Sequence, residues 1–149
     1  MIEDELPDEV VVPPPETLKV RVIREPNGTR HLLVGNRTEA SDSPDQWAAV
    51  AKHVAAFPAR PETVAWIGGG FCIGPRIARG RVRTRQDVYE LRPLLAKYCP
   101  AYATFVPGDY RTTLTGLYDV IVYDIGDAPD RATLETHLNP GGLLLGLEG

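Results

Sequence analysis

The chain has two cysteines, one methionine and eleven aromatic residues in 149, and it has no excess of positive charge. Cys72 and Cys99 are 27 positions apart, with no Cys-x-x-Cys and no nearby histidine pair, so neither a zinc centre nor a disulfide scaffold is indicated. They read as reduced, partly buried thiols of a cytoplasmic protein. No apolar run approaches the ~18–20 residues a membrane helix needs. The start, MIEDELPDEV, lacks the basic-then-apolar order of a secretion signal. An integral membrane protein and a strongly basic nucleic-acid binder are both disfavoured.

What is present is an ordinary globular composition, 43% hydrophobic and 24% charged, in a chain long enough for one sizeable core. The net charge of −4 is concentrated: Glu3, Asp4, Glu5, Asp8 and Glu9 fall in the first nine residues. From Val10 onward, 15 acids meet 16 Lys and Arg. Residues 1–16, ending in Pro13-Pro14-Pro15, are expected to form an acidic, extended leader.

Residues 17–62 read as a β-hairpin and a helix. Residues 17–23 alternate apolar and polar, residues 30–34 make a second strand, and Asn27-Gly28 supplies the turn. Asp42-Ser-Pro-Asp45 offers cap chemistry for a helix over 46–57, which carries Trp47, Val50, Ala51, Val54 and Phe57 at helical spacing. From Thr63 the pattern changes. Candidate strands at 64–67, 82–90, 103–106, 118–123 and 142–147 alternate with helical segments at 73–79, 93–98 and 130–138, and 111–117 is a loop or single turn. Such alternation indicates parallel β-α units with both sheet faces covered. Ligands in such sheets bind beyond the carboxyl ends of the strands, so the residues after each strand are the candidates.

Gly68-Gly-Gly70 follows the first of these strands, but the next glycine is Gly74, one residue late for a dinucleotide fingerprint, and no Gly-Lys-Ser/Thr follows. Glu90 ends the second strand, 20 residues beyond Gly70, where an acid can accept from ribose hydroxyls. After the third strand, Gly108-Asp109 is either a plain turn or a carboxylate facing an adenine amino group. Asp124 and Asp127, three apart at the tip of a buried strand, need a cation or a polar ligand unless they cap the next helix.

The ordered set of Gly68-Gly-Gly70, residues 88–93 (VYELRP), Gly108-Asp109, residues 118–124 (YDVIVYD) and residues 139–142 (NPGG) resembles a class I S-adenosylmethionine-binding domain. Within that group the chain is most similar to the spermidine synthase family. The resemblance covers roughly residues 17–149. It implies a Rossmann-like parallel sheet of strand order 3-2-1-4-5 with helices on both faces, preceded by a small N-terminal β-hairpin and helix. Residues 63–149 would be the nucleoside-binding core, shortened at its C-terminal end. By the same resemblance Gly68 and Gly70 shape the nucleoside cleft, Glu90 holds the ribose, Asp109 the adenine, and Gln46 is a shifted remnant of a pre-strand contact. Asp124 is the base and amine anchor, with Asp127 assisting. The co-substrate is S-adenosylmethionine or its decarboxylated form, no metal is required, and the acceptor is a small-molecule amine.

The chain departs from the family pattern at three places. Phe71 stands where the family has an Asp that recognises the aminopropyl amine, Arg92 replaces an acid, and residues 45–47 (DQW) replace a Tyr-Gln/His segment. Two other readings therefore stand beside aminopropyl transfer: methyl transfer to an unknown acceptor, and a non-catalytic binding or interaction module. Arg76, Arg79, Arg81, Arg83 and Arg85 form a basic run. Alternate arginines at 81, 83 and 85 would share one strand face, as an edge that resists aggregation or as a nucleic-acid patch, and the first is preferred. The apolar last strand is expected to self-associate through its edge.

Overall fold

The computed structural model describes residues 19–123 and 131–146, together with the backbone of 2–3 and 9–10. Asp124, Asp127 and most of the leader lie outside the described residues. Two compact units divide between Trp47 and Ala48.

The first unit is an antiparallel sheet. Short strands β1 (Ile2–Glu3) and β2 (Glu9–Val10) both pair with β3 (Lys19–Arg24), which pairs with β4 (Arg30–Val34), and β4 pairs with β5 (Arg37–Ser41). The hairpin turn falls where the sequence places it. Gly28 has φ +93°, and Asn27 Oδ1 accepts from the Thr29 amide at 2.9 Å. Val20 faces Val34 and Val22 faces Leu32 across the strands, and all four are buried. Strand β5 was not expected, because its sequence, RTEAS, has no apolar period; it forms by pairing with β4 after the Gly35-Asn36 turn. Helix α1 (Pro44–Ala55) begins two residues earlier than expected, since proline fits the first turn, where no backbone donor is needed.

In the second unit, five parallel strands carry the core: β6 (Thr63–Ile67), β7 (Arg85–Glu90), β8 (Thr104–Pro107), β9 (Tyr118–Tyr123) and β10 (Leu138–Gly146). Their order across the sheet, β10-β9-β6-β7-β8, is the expected 3-2-1-4-5 in chain order reversed end for end. Between the strands lie α2 (Ile73–Ala78), a 3₁₀ segment (Pro93–Tyr98), the single turn α3 (Tyr110–Thr113) and α4 (Arg131–Glu135).

The two sheet faces separate by strand alternation. Val64, Trp66, Val88, Val120 and Val122 pack with Val50, Val54 and Phe57 and with Ile73 and Ala78 of α2. Ala65, Ile67, Tyr89, Ile121 and Tyr123 pack on the other face with Tyr110, Leu114 and Leu134. Strand β7 begins at Arg85, not at Val82, because the amides of Arg83, Thr84 and Arg85 donate to the carbonyls of Pro61 and Glu62 before the ladder starts. Strand β10 starts earlier than expected, at Leu138, and bulges before Leu143, where Asn139 Nδ2 donates to Asp119 Oδ1 at 2.9 Å.

One buried side chain ties sheet to helix. Gln86 Oε1 accepts from Trp66 Nε1 at 2.7 Å, and its Nε2 donates to the Pro75 carbonyl of α2 at 3.1 Å. Gln86→Ala strands both partners in an apolar interior, so it should lower stability by about 2–4 kcal/mol. Urea denaturation of the two proteins measures this, and an unchanged midpoint would contradict the role given to Gln86.

Candidate functional site

All five strands are parallel, so their carboxyl ends share one edge of the sheet. Strand β6 has β7 on one side and β9 on the other, and the chain reverses its direction of winding between these neighbours. A crevice at such a point is the expected place for a ligand.

The loop after β6 is built from glycine for steric reasons. Gly68 has φ +78° and Gly70 φ +55°, values that cost a side-chain-bearing residue roughly 1–2 kcal/mol. Cys72 also takes the left-handed conformation, at φ +59°, and leads into α2. A β-carbon at Gly69 would overlap Val88, and one at Gly74 would overlap the Trp66 ring, so this loop and helix lie tightly on the sheet. Gly74, one residue late for the dinucleotide fingerprint, thus serves packing.

Glu90 organises the edge. Its side chain is buried, with the residue only 7% exposed. Oε1 accepts from the Gly70 amide at 2.9 Å, and Oε2 accepts from the Arg92 amide at 2.8 Å. Around it the backbone is sewn strand to strand. The Gly68 amide donates to the Tyr89 carbonyl at 2.8 Å, and the Gly108 amide donates to the Glu90 carbonyl at 3.0 Å. The loops after β6 and β7 therefore meet at the Glu90 carboxylate, and the loop after β8 at its backbone carbonyl. Leu91, the next residue, is 55% exposed. Sequence reasoning passed over it; an apolar residue directly behind a strand-end acid was the available signal.

The other predicted residues are placed as follows. Gly68 and Gly70 lie in the loop bonded to Glu90. Asp109 follows β8 and caps α3: its Oδ1 accepts from the Arg111 amide at 2.9 Å, and Oδ2 pairs with Arg111 Nη1 at 3.3 Å. Gln46 is in the first turn of α1, where its amide donates to Ser43 Oγ, and it belongs to the first compact unit. Asp124 and Asp127 lie outside the described residues. Tyr123, which precedes Asp124 in sequence, accepts from Arg131 Nη1 at its phenol oxygen, 2.7 Å away.

Phe71 turns away from solvent. It is 3% exposed and packs edge-on against Tyr98, with ring centroids 5.0 Å apart. Cys72 is buried beside it, and burial, reinforced by Cys99, pushes its thiol well above the ordinary range. A thiol so held is uncharged and unreactive at neutral pH. On the opposite sheet face, Tyr118 donates to Asp87 Oδ2 at 2.7 Å, Arg85 Nε donates to the same oxygen at 2.9 Å, and the Tyr89 and Tyr118 hydroxyls are 2.6 Å apart. Burial and the bond to Asp87 hold the Tyr118 phenol far above its usual value. Asp87 is thus paired in place, as a buried charge must be. Among the described residues no group of histidine, cysteine and acidic side chains could hold a metal ion, and no helix is long and apolar enough to cross a membrane.

No known protein family and no curated protein matches the chain. Solved structures do. A ribosomal protein L11 methylase from Lactobacillus delbrueckii subsp. bulgaricus is 17% identical, with TM-score 0.58, over 70% of this chain and 60% of that one. A probable spermidine synthase from Corynebacterium glutamicum is 20% identical, with TM-score 0.62, over 87% of this chain and 60% of that one. A SAM-dependent methyltransferase from Thiobacillus denitrificans, in complex with S-adenosyl-L-homocysteine, is 19% identical, with TM-score 0.53, over 70% of this chain and 48% of that one. At these identities the likeness is one of fold: the Rossmann-like methyltransferase fold. The chain spans about 60% of the length of the first two.

Glu90→Gln replaces one oxygen with an NH₂ group facing a backbone donor. It should cost about 1–3 kcal/mol, read as a lower urea midpoint. Equal stability would mean that the carboxylate does not hold the loop.

Proposed function

We propose that the chain binds a nucleoside of the S-adenosylmethionine type in the crevice between β6 and β9 and supports transfer of a methyl group. The observation that carries this reading is the buried Glu90 carboxylate, fixed by the Gly70 and Arg92 amides at the carboxyl edge of the sheet. The residues present fit such a ligand. Gly68 and Gly70 let the backbone approach closely, Glu90 accepts from the ribose hydroxyls, and exposed Leu91 offers an apolar surface to the base. Asp109, which caps α3 and pairs with the Arg111 guanidinium, is assigned the adenine amino group. When bound, the group supplies a carbon activated by a sulfonium leaving group. The chain's contribution is then mainly positioning, which in general supplies several kcal/mol of a barrier. Asp124 is assigned the acceptor's proton, with Asp127 assisting. The likeness in fold to a methyltransferase crystallised with S-adenosyl-L-homocysteine supports the same reading.

Aminopropyl transfer from the decarboxylated form, to a small-molecule amine, is the other reading. It draws on the sequence resemblance and on the similarity in fold to the probable spermidine synthase. Phe71 favours methyl transfer: an apolar ring packed on Tyr98 gives the glycine loop no carboxylate at the position that would select an aminopropyl cation.

A ligand at ~100 times its dissociation constant adds about 2.7 kcal/mol, a melting shift of about 5–10 °C at this size. S-adenosylmethionine or S-adenosylhomocysteine should produce that shift, and Glu90→Gln should weaken binding at least about tenfold by removing a charge-assisted acceptor. No shift with these ligands, or with the decarboxylated form, would end the proposal. Mass analysis of products separates transfer of a methyl from transfer of an aminopropyl group.

A further inference from the structure

The basic run divides in the folded chain. Arg83 pairs with Glu62 at 3.5 Å and Arg85 with Asp87 at 2.9 Å, while Arg81 donates to the carbonyls of Val54 and Phe57. Arg81 and Arg83 precede β7, so the expected row of arginines on one strand face does not form. Arg76 and Arg79, the two on or beside α2, behave differently. Both are exposed, and both lean on the segment 97–102. Arg76 Nη2 donates to the Tyr98 carbonyl at 2.7 Å. The Arg79 guanidinium lies 4.3 Å from the centre of the Tyr102 ring, itself 38% exposed. Lys97 is exposed, with its ammonium 5.3 Å from the Tyr98 ring.

This face is electrostatically one-sided. Residues 73–107 hold seven Lys and Arg against Asp87 and Glu90, whereas the rest of the chain holds nine against eighteen acids. Asp87 and Glu90 are both buried and both hydrogen-bonded inside the fold. A net charge of −4 therefore conceals a segment of +5 whose two acids face inward. An exposed tyrosine among planar guanidinium groups adds a second feature. Phosphates are met by the fork of Arg, and unstacked bases by the ring.

We infer that Arg76, Arg79, Lys97 and Tyr102 form a docking face for single-stranded nucleic acid, flanking the crevice. An acidic peptide would satisfy the charges but leave the Tyr102 ring and its guanidinium partner without a base to stack. The face begins close to the glycine loop, because α2 follows that loop directly and its six residues span only about 9 Å. The inference goes beyond the proposed nucleoside binding and does not require it.

The test is fluorescence anisotropy with a labelled 12-nucleotide single strand, as RNA and as DNA, between ~50 and 200 mM salt. With three cations engaged, the slope of log affinity against log salt should be about −2 for either strand. The double variant R79E/K97E should lose on the order of tenfold or more in affinity. Tyr102→Ala should lose about tenfold, whereas Tyr102→Phe should retain binding. All the substituted side chains are exposed, and an unchanged melting temperature verifies that each variant folds. Unaltered S-adenosylhomocysteine binding by R79E/K97E would show that the two surfaces are separate. Absence of binding to both strands, tighter binding of polyglutamate than of either, or insensitivity to R79E/K97E would each overturn the inference.

Discussion

A carboxylate closed off from bulk water at the end of a parallel strand is tolerable only if the backbone comes to meet it. Glu90 meets that condition with two amides, one from the glycine loop after β6 and one from its own strand's exit. The requirement reaches outward. The Gly70 amide points at Glu90 in a left-handed conformation, which a β-carbon would strain. Gly69 must lie against Val88, and Gly74 against Trp66, for the loop to sit low enough. The acid that would receive a ribose is therefore also the group that shapes the crevice around it, so binding and local stability are coupled at one residue.

The same economy appears on the sheet face beneath. Gln86 stands in an apolar strand because Trp66 brings a buried indole N–H and α2 a carbonyl, and one amide side chain satisfies both. On the other face, Asp87 is satisfied by Arg85 and Tyr118. Two adjacent polar residues of one strand thus point to opposite faces, and each is consumed by structure. Neither is left to act on a ligand, whereas Glu90, three residues on from Asp87, sits at the edge the crevice occupies.

The arginines show how misleading a linear charge run can be. Positions 76–85 look like one basic stripe in sequence. In the fold they serve three purposes: Arg81 ties carbonyls at the end of α1 and just beyond it, Arg83 and Arg85 neutralise acids, and Arg76 and Arg79 remain outside on Tyr98 and Tyr102. The partner that completes the face, Lys97 with Tyr102, comes from a different segment. No reading of spacing along the chain brings these residues together.

The family resemblance supplied the strand order; the amino-acid order alone was sufficient for the parallel sheet, the hairpin turn at Asn27-Gly28 and the placing of Gly68, Gly70 and Glu90 together. These rest on local signals: alternation, glycine where φ is positive, and an acid at a strand's end. The polar strand β5, the 3₁₀ rather than α geometry of 93–98 and the early start of β10 escaped it, since each depends on a neighbour instead of on its own residues. So did the inward turn of Phe71 and the division of the arginines. Where a side chain points, and whether a charge is spent on a carbonyl, an acid or the solvent, depends on contacts between segments far apart in sequence, and only the packed chain sets those distances.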